Sequence, residues 1–174
     1  MKREDWLWQL FGFGVTSLGG TLLHFLYEWL GKSPLIAPFS GINESTWEHI
    51  KLLFWPMLLF ATVQFFFFRD RPEFSGIKLR GILLGLSLIP LIFYTYNGII
   101  GKSPDWFNIT IFFISAAAAY LYEYRLFNKN DPPKTSPRIA ILSLTLIAAL
   151  FFIFTFKTPT LNIFRDPLTG TYGI

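Results

Sequence analysis

The chain contains no cysteine. Disulfides, thiolate metal ligands and a cysteine nucleophile are therefore excluded, and the redox state of its compartment leaves no mark on it. Charge is scarce as well: 15% of residues are Asp, Glu, Lys or Arg, against about 25% in ordinary soluble domains. Histidine occurs twice, at His24 and His49, and no H-E-x-x-H pattern is present. There is neither an internal repeat nor a low-complexity tract. The net charge is only +4. Membrane loops on the cytoplasmic side account for such an excess, so no nucleic-acid partner is expected.

Apolar and aromatic residues fill the space that charge leaves. Of 174 residues, 52% are hydrophobic and 20% aromatic, with 21 Phe. The mean hydropathy is +0.44. This composition belongs to the membrane class. The length suits one integral membrane domain over residues 1–174, with membrane lipids as the expected partners.

Trp6 to Tyr27 holds one histidine and no acid, Lys or Arg. At 22 residues it reaches the roughly 20 needed to span a hydrocarbon core. A cleaved signal peptide has a shorter apolar core and a small-x-small cleavage site, so this run reads as a retained helix. Gly31, Pro34, Pro38 and Gly41 then break the pattern. Further apolar runs predict spans near 6–30, 45–68, 79–100, 106–124 and 138–156. The fold class is thus an all-α polytopic membrane bundle with five transmembrane spans.

An odd number of crossings separates the two ends. Ten of the fifteen basic residues fall on the side of the amino end and of the loops around Arg69–Arg80 and Arg125–Arg138. The positive-inside rule places that side in the cytoplasm and the carboxyl tail outside. The expected location is a cell membrane, with the segment from His24 to Lys51 on its outer face.

That segment holds the chemistry. On the first helix, Gly12, Thr16, Gly20, His24 and Glu28 recur every four residues, forming one ridge. Its small members allow close helix approach, and its ionisable members belong against protein or water. The stretch I-N-E-S-T-W-E-H-I-K, Ile42 to Lys51, opens the second helix. Ser45 and Glu48 have capping-box spacing. Glu44 and Glu48 lie one turn apart, with His49 adjacent. A short connection makes the two helices antiparallel neighbours, so both imidazoles and the carboxylates of Glu28, Glu44 and Glu48 are expected to converge.

Several readings fit these residue types. His24, Glu28, Glu48 and His49 form a possible ligand set for a divalent metal such as zinc. The same four suit metal-free acid/base work, with Glu28 orienting His24, and with Asn43 and Lys51 stabilising an oxyanion. Buried acids also mark proton paths. A structural account remains: the acids favour a helix N-terminus, and Trp47 and His49 suit a membrane interface. That account does not reach His24, inside the first span.

The segment N-E-S-T-W-E-H-I-K, preceded by H-F-L-Y-E, and the D-P-L-T-G-T-Y-G ending resemble a little-characterised family of small polytopic prokaryotic membrane proteins. The resemblance covers His24 to Phe54 and, beyond that, the tail. It implies a prokaryotic membrane location and no particular activity. The expectation drawn from the residues is an enzyme working at the outer leaflet on a lipid, lipid-linked or small amphipathic substrate. The alternatives are a small ion- or proton-coupled transporter and a structural membrane protein without catalysis.

Overall fold

The structure, a computed structural model, describes residues 3–174, with side chains described from Asp5 onward. It is all-helical. The helices are α1 (Arg3–Trp29), α2 (Thr46–Phe68), α3 (Phe74–Ile99), α4 (Asp105–Phe127) and α5 (Pro137–Phe156), followed by a 3-10 turn at Asn162–Phe164. Five spans were expected. Among the described residues there are five α-helices, and four of them, α1, α2, α3 and α5, are long and apolar enough to cross a membrane. Helix α4 has the length, but Asn108, Tyr120, Tyr122, Glu123 and Tyr124 dilute its apolar character.

Neighbouring helices run in alternating directions. Trp8 meets Phe67 and Phe68, while Gly19 lies against Pro56, so α1 and α2 are antiparallel. Gly12 faces Tyr120 and Gly20 faces Phe112, so α1 and α4 are antiparallel too. Gly81 abuts Glu123 and Gly85 abuts Ala119, which sets α3 against α4. The core lies between these helices and includes Leu53, Phe54, Met57, Ile82 and Ala116, all fully buried. Leu18, Phe66, Leu91, Ile99 and Leu142 instead face outward. An apolar surface of that kind is what a bilayer accepts and water does not.

The α1 ridge packs as its spacing implies. A Cβ at Gly12 would strike the rings of Phe60 and Tyr120, and one at Gly20 would strike Phe112 and approach the Leu52 carbonyl. Thr16 and the Tyr120 hydroxyl are 2.7 Å apart and share a hydrogen bond. The absence of side chains at Gly12 and Gly20 is what lets α2 and α4 come this close.

Helix α3 begins at Phe74, five residues before the expected start at 79. Lys78 was counted among the basic residues of the loop before this span and its flanks. Its ammonium instead lies inside the bundle, 2.5 Å from the Glu123 carboxylate, and the residue is 2% exposed. A charge neutralised by its partner no longer marks the end of a buried helix.

The segment between α1 and α2 folds back over the bundle end. The left-handed residues Gly31 (φ 65°) and Lys32 (φ 59°) terminate α1. The Ser40 hydroxyl accepts from the Tyr27 amide and donates to the Leu23 carbonyl. Trp55 Nε1 donates to the Pro38 carbonyl at 2.9 Å. An irregular backbone among apolar helices needs such partners for its polar groups.

Candidate functional site

The N-terminus of α2 sets the site. Ser45 caps the helix, its hydroxyl accepting from the Glu48 amide at 3.4 Å. Asn43 Oδ1 accepts from the Ser45 amide at 2.9 Å. The box closes differently from the expected pattern, because the Glu48 carboxylate accepts from the Ile42 amide at 3.1 Å. These bonds hold Glu44 in the turn just before the helix and aim it at α1.

Glu44 stands between the two histidines. Its Oε1 is 3.6 Å from His24 Nε2, and its Oε2 is 3.5 Å from His49 Nε2. The two imidazoles are 5.9 Å apart between centroids. One ligand atom from each of the three residues lies within 4.8 Å of the others. The separations are too long for good hydrogen bonds. Ligands ~2.0–2.2 Å from a tetrahedral ion stand roughly 3.4 Å apart, which matches them.

His49 carries a further sign. Its Nδ1 is 3.0 Å from the Ser45 carbonyl. A carbonyl only accepts, so Nδ1 holds the proton. In a neutral imidazole Nε2 is then a bare lone pair, and it faces a carboxylate oxygen. A metal ion placed there would satisfy both acceptors at once. The Ser45 bond is also the kind of outer contact that orients a ligating imidazole.

Two cavities meet at this cluster. One, of about 250 Å³, is lined by His24, Glu44 and His49, by Asp105 and Asn108 at the start of α4, and by Pro167 and Leu168 from the tail. The other, of about 230 Å³, is lined by His24, His49, Gly20, Phe25, Phe112 and Phe113. The first has a polar wall, and the second is almost wholly apolar. The tail is pinned above the first. Phe164 packs on Trp47 at 4.7 Å between centroids, Asn43 Nδ2 donates to the Gly173 carbonyl, and Asp166 accepts from the Leu168 amide and the Thr169 hydroxyl.

His24 and His49 are together, as their spacing suggested. The other sequence-derived candidates are elsewhere. Glu28 pairs with Lys32 at 3.2 Å and is largely exposed. Glu48 and Lys51 form a buried ion pair at 2.5 Å. The Lys51 ammonium also donates to the Ala37 carbonyl at 2.7 Å and to the Thr155 hydroxyl at 3.3 Å. Asn43 serves the turn and the tail. Glu44, Asp105 and Asn108 take the places at the cavity. Glu44 was expected among the three converging carboxylates, but the ligand and catalytic roles were assigned to Glu28 and Glu48 instead. Asp105 and Asn108 opened a distant span and carried no signal toward α1.

The fold and cluster define an all-helical protein with the character of a membrane protein and a His–Glu–His group at one end of its bundle. The chain belongs to DUF6512, a family of unknown function, whose model matches residues 1–174. No curated protein and no solved structure matches it.

Proposed function

We propose that the protein is a membrane-embedded enzyme acting on a lipid, lipid-linked or small amphipathic substrate through a metal centre at His24, Glu44 and His49. The observation that carries this reading is the convergence of two imidazoles and one carboxylate where a partly polar and a mainly apolar cavity meet. Two His and one Glu with an open fourth position is a donor set used by hydrolytic zinc. A divalent ion there supplies Lewis acidity and a water that is acidic enough to attack near neutral pH. Asp105 and Asn108 offer a proton acceptor and a hydrogen-bonding amide for the reacting head group. The apolar cavity takes the chain. A transition-metal site also explains the bare Nε2 of His49.

In this reading all five helices cross a prokaryotic cell membrane, α4 included. Its 23 residues extend about 35 Å, and its buried charge, Glu123, is paired with Lys78. The amino end is cytoplasmic and the site opens near the outer leaflet, in keeping with the distribution of Lys and Arg.

The ion-coupled alternative has one observation in its favour, the buried Lys78–Glu123 pair within the bundle. It also needs polar continuity to His24, and Phe112 against Gly20 lies between.

The test is elemental analysis of protein purified without added chelator, followed by zinc titration monitored by thermal unfolding. About one equivalent of metal is expected, and lost in His24→Ala. Metal-free protein with no thermal response to zinc, cobalt or manganese would remove the reading. Incubation with lipid extracts and mass spectrometry of the products then identifies the substrate.

A further inference from the structure

A second polar group lies in the other half of the bundle, one residue from each of four helices. Gln9 on α1, Gln64 on α2, Lys78 on α3 and Glu123 on α4 are 2%, 0%, 2% and 0% exposed. Their positions form one layer. Gly12 lies against Phe60 and Tyr120. Gln9 is one turn from Gly12 toward the amino end, Gln64 one turn beyond Phe60, and Glu123 one turn beyond Tyr120. Because α1 is antiparallel to α2 and α4, these three steps go the same way, and side chains one turn apart stack on one face. Lys78 completes the layer, with its ammonium 2.5 Å from Glu123 Oε2, 5.1 Å from the Tyr120 ring centroid and 5.8 Å from that of Phe60.

The layer has too few protein partners. Among the described residues, neither Oε1 nor Nε2 of Gln9 or Gln64 has a hydrogen-bond partner, nor does Glu123 Oε1. Leaving such a group buried and unpaired costs about 1–3 kcal/mol, and five such atoms at one level is far from the usual near-complete pairing.

The chemistry of the atoms selects what binds. Two amide NH2 groups and the Lys78 ammonium disfavour a metal cation. The Glu123 carboxylate disfavours an anion. Unpaired donors and acceptors occur at one level of the bundle, and the ligand that donates and accepts equally is water. We propose that Gln9, Gln64 and the Lys78–Glu123 pair form an internal water-binding site in the half of the bundle remote from the His–Glu–His cluster. Buried waters typically make about three hydrogen bonds to groups of this kind. Phe112 over Gly20, with the Tyr120–Thr16 contact below it, separates these waters from His24. The hydrated layer keeps a charged pair solvated inside an otherwise apolar bundle.

Brief X-ray pulses, which generate hydroxyl radicals from bound as well as bulk water, test this on the full-length protein in lipid nanodiscs. Phe60 borders the layer, and Phe54 lies on the same helix in the dry core; they are 3% and 0% exposed. Phe60 should be oxidised several-fold faster than Phe54. Combining Gln9→Met with Gln64→Met should bring Phe60 to the Phe54 rate and lower the melting temperature. Equal oxidation of the two phenylalanines in the wild type overturns the proposal. So does a double variant more stable than wild type, since the amides then pair with one another or stay dry. If the double variant does not fold, the wild-type comparison alone decides.

Discussion

Glu48 and Lys51, one turn apart at the start of α2, form an ion pair of 2.5 Å that water does not reach. The pair does not face the His–Glu–His cluster. Lys51 points instead to the Ala37 carbonyl and to Thr155, so it ties the α1–α2 connection and the end of α5 to α2. Removing one partner of such a pair strands a buried charge. Glu48→Gln should therefore cost about 3–5 kcal/mol of stability, measured by denaturation in detergent, while metal content stays unchanged. Replacing Glu48 and Lys51 together by Leu and Met should recover much of that loss. A Glu48→Gln protein as stable as wild type would show that the pair does not hold the connection.

The metal centre predicts coupled losses. His24→Ala, His49→Ala and Glu44→Gln should each weaken metal binding by more than the roughly 10–100-fold that loss of an outer-shell contact costs. His24→Ala with His49→Ala should lose hardly more activity than either alone, since residues acting as a unit are non-additive. Glu28→Gln should leave metal content unchanged, because Glu28 pairs with Lys32. Inductively coupled plasma mass spectrometry on the set separates these outcomes.

Acid should release the metal. Imidazole must be neutral and the carboxylate ionised to ligate, so protons compete with the ion. The thermal stabilisation given by zinc should be full at neutral and alkaline pH and fade as the medium is acidified. The His24→Ala variant should show no zinc-dependent component at any pH. Differential scanning fluorimetry with and without zinc across pH measures this.

Gly20 tests the packing beneath the site. A side chain there would strike Phe112 and press on the Leu52 backbone. Gly20→Leu should cost at least the ~1–3 kcal/mol of ordinary overpacking, and it should close the apolar cavity that Gly20 and Phe112 line. Binding of a fluorescent fatty-acyl probe should fall several-fold. Gly14→Leu is the control, since nothing lies within 4 Å of a Cβ at Gly14.

Orientation is accessible through a chain without cysteine. A single cysteine at Lys129, after α4, should resist an impermeant thiol reagent in intact cells, and one at Lys102, before α4, should react. Both positions are exposed. Equal reactivity at the two would place α4 outside the membrane, and the reverse pattern would invert the protein.

The helices were legible in the sequence because transfer of apolar residues from water is a local property, summed along twenty consecutive side chains. Breaks at Gly31–Gly41 and Arg69–Pro72 were legible for the same local reason. The α1 ridge was legible too, since a four-residue recurrence of Gly12, Thr16 and Gly20 reports one face of a helix wherever the helix sits. Neighbouring positions of His24 and His49 followed from a short connection between two helices. The partners of charges were legible only in part: Lys51 lies three residues after Glu48 and was within its reach, but nothing in the sequence chose that pair over the others. Glu28, Glu48, Lys51 and Lys78 were interchangeable as sequence symbols. Each was assigned by which oppositely charged atom lay within a few ångströms, and that distance depends on how helices are set against one another. Glu28 turned to Lys32, Glu48 to Lys51, and Lys78 to a carboxylate 45 residues away. Glu44, expected near the histidines together with Glu28 and Glu48, was singled out from them only when the Ser45 cap and Asn43 shaped the backbone before α2. Composition and periodicity determined that the chain forms apolar helices and roughly where they begin and end. Tertiary packing alone decided which acid meets the histidines, because a contact energy that falls off within a few ångströms cannot be read from order along the chain.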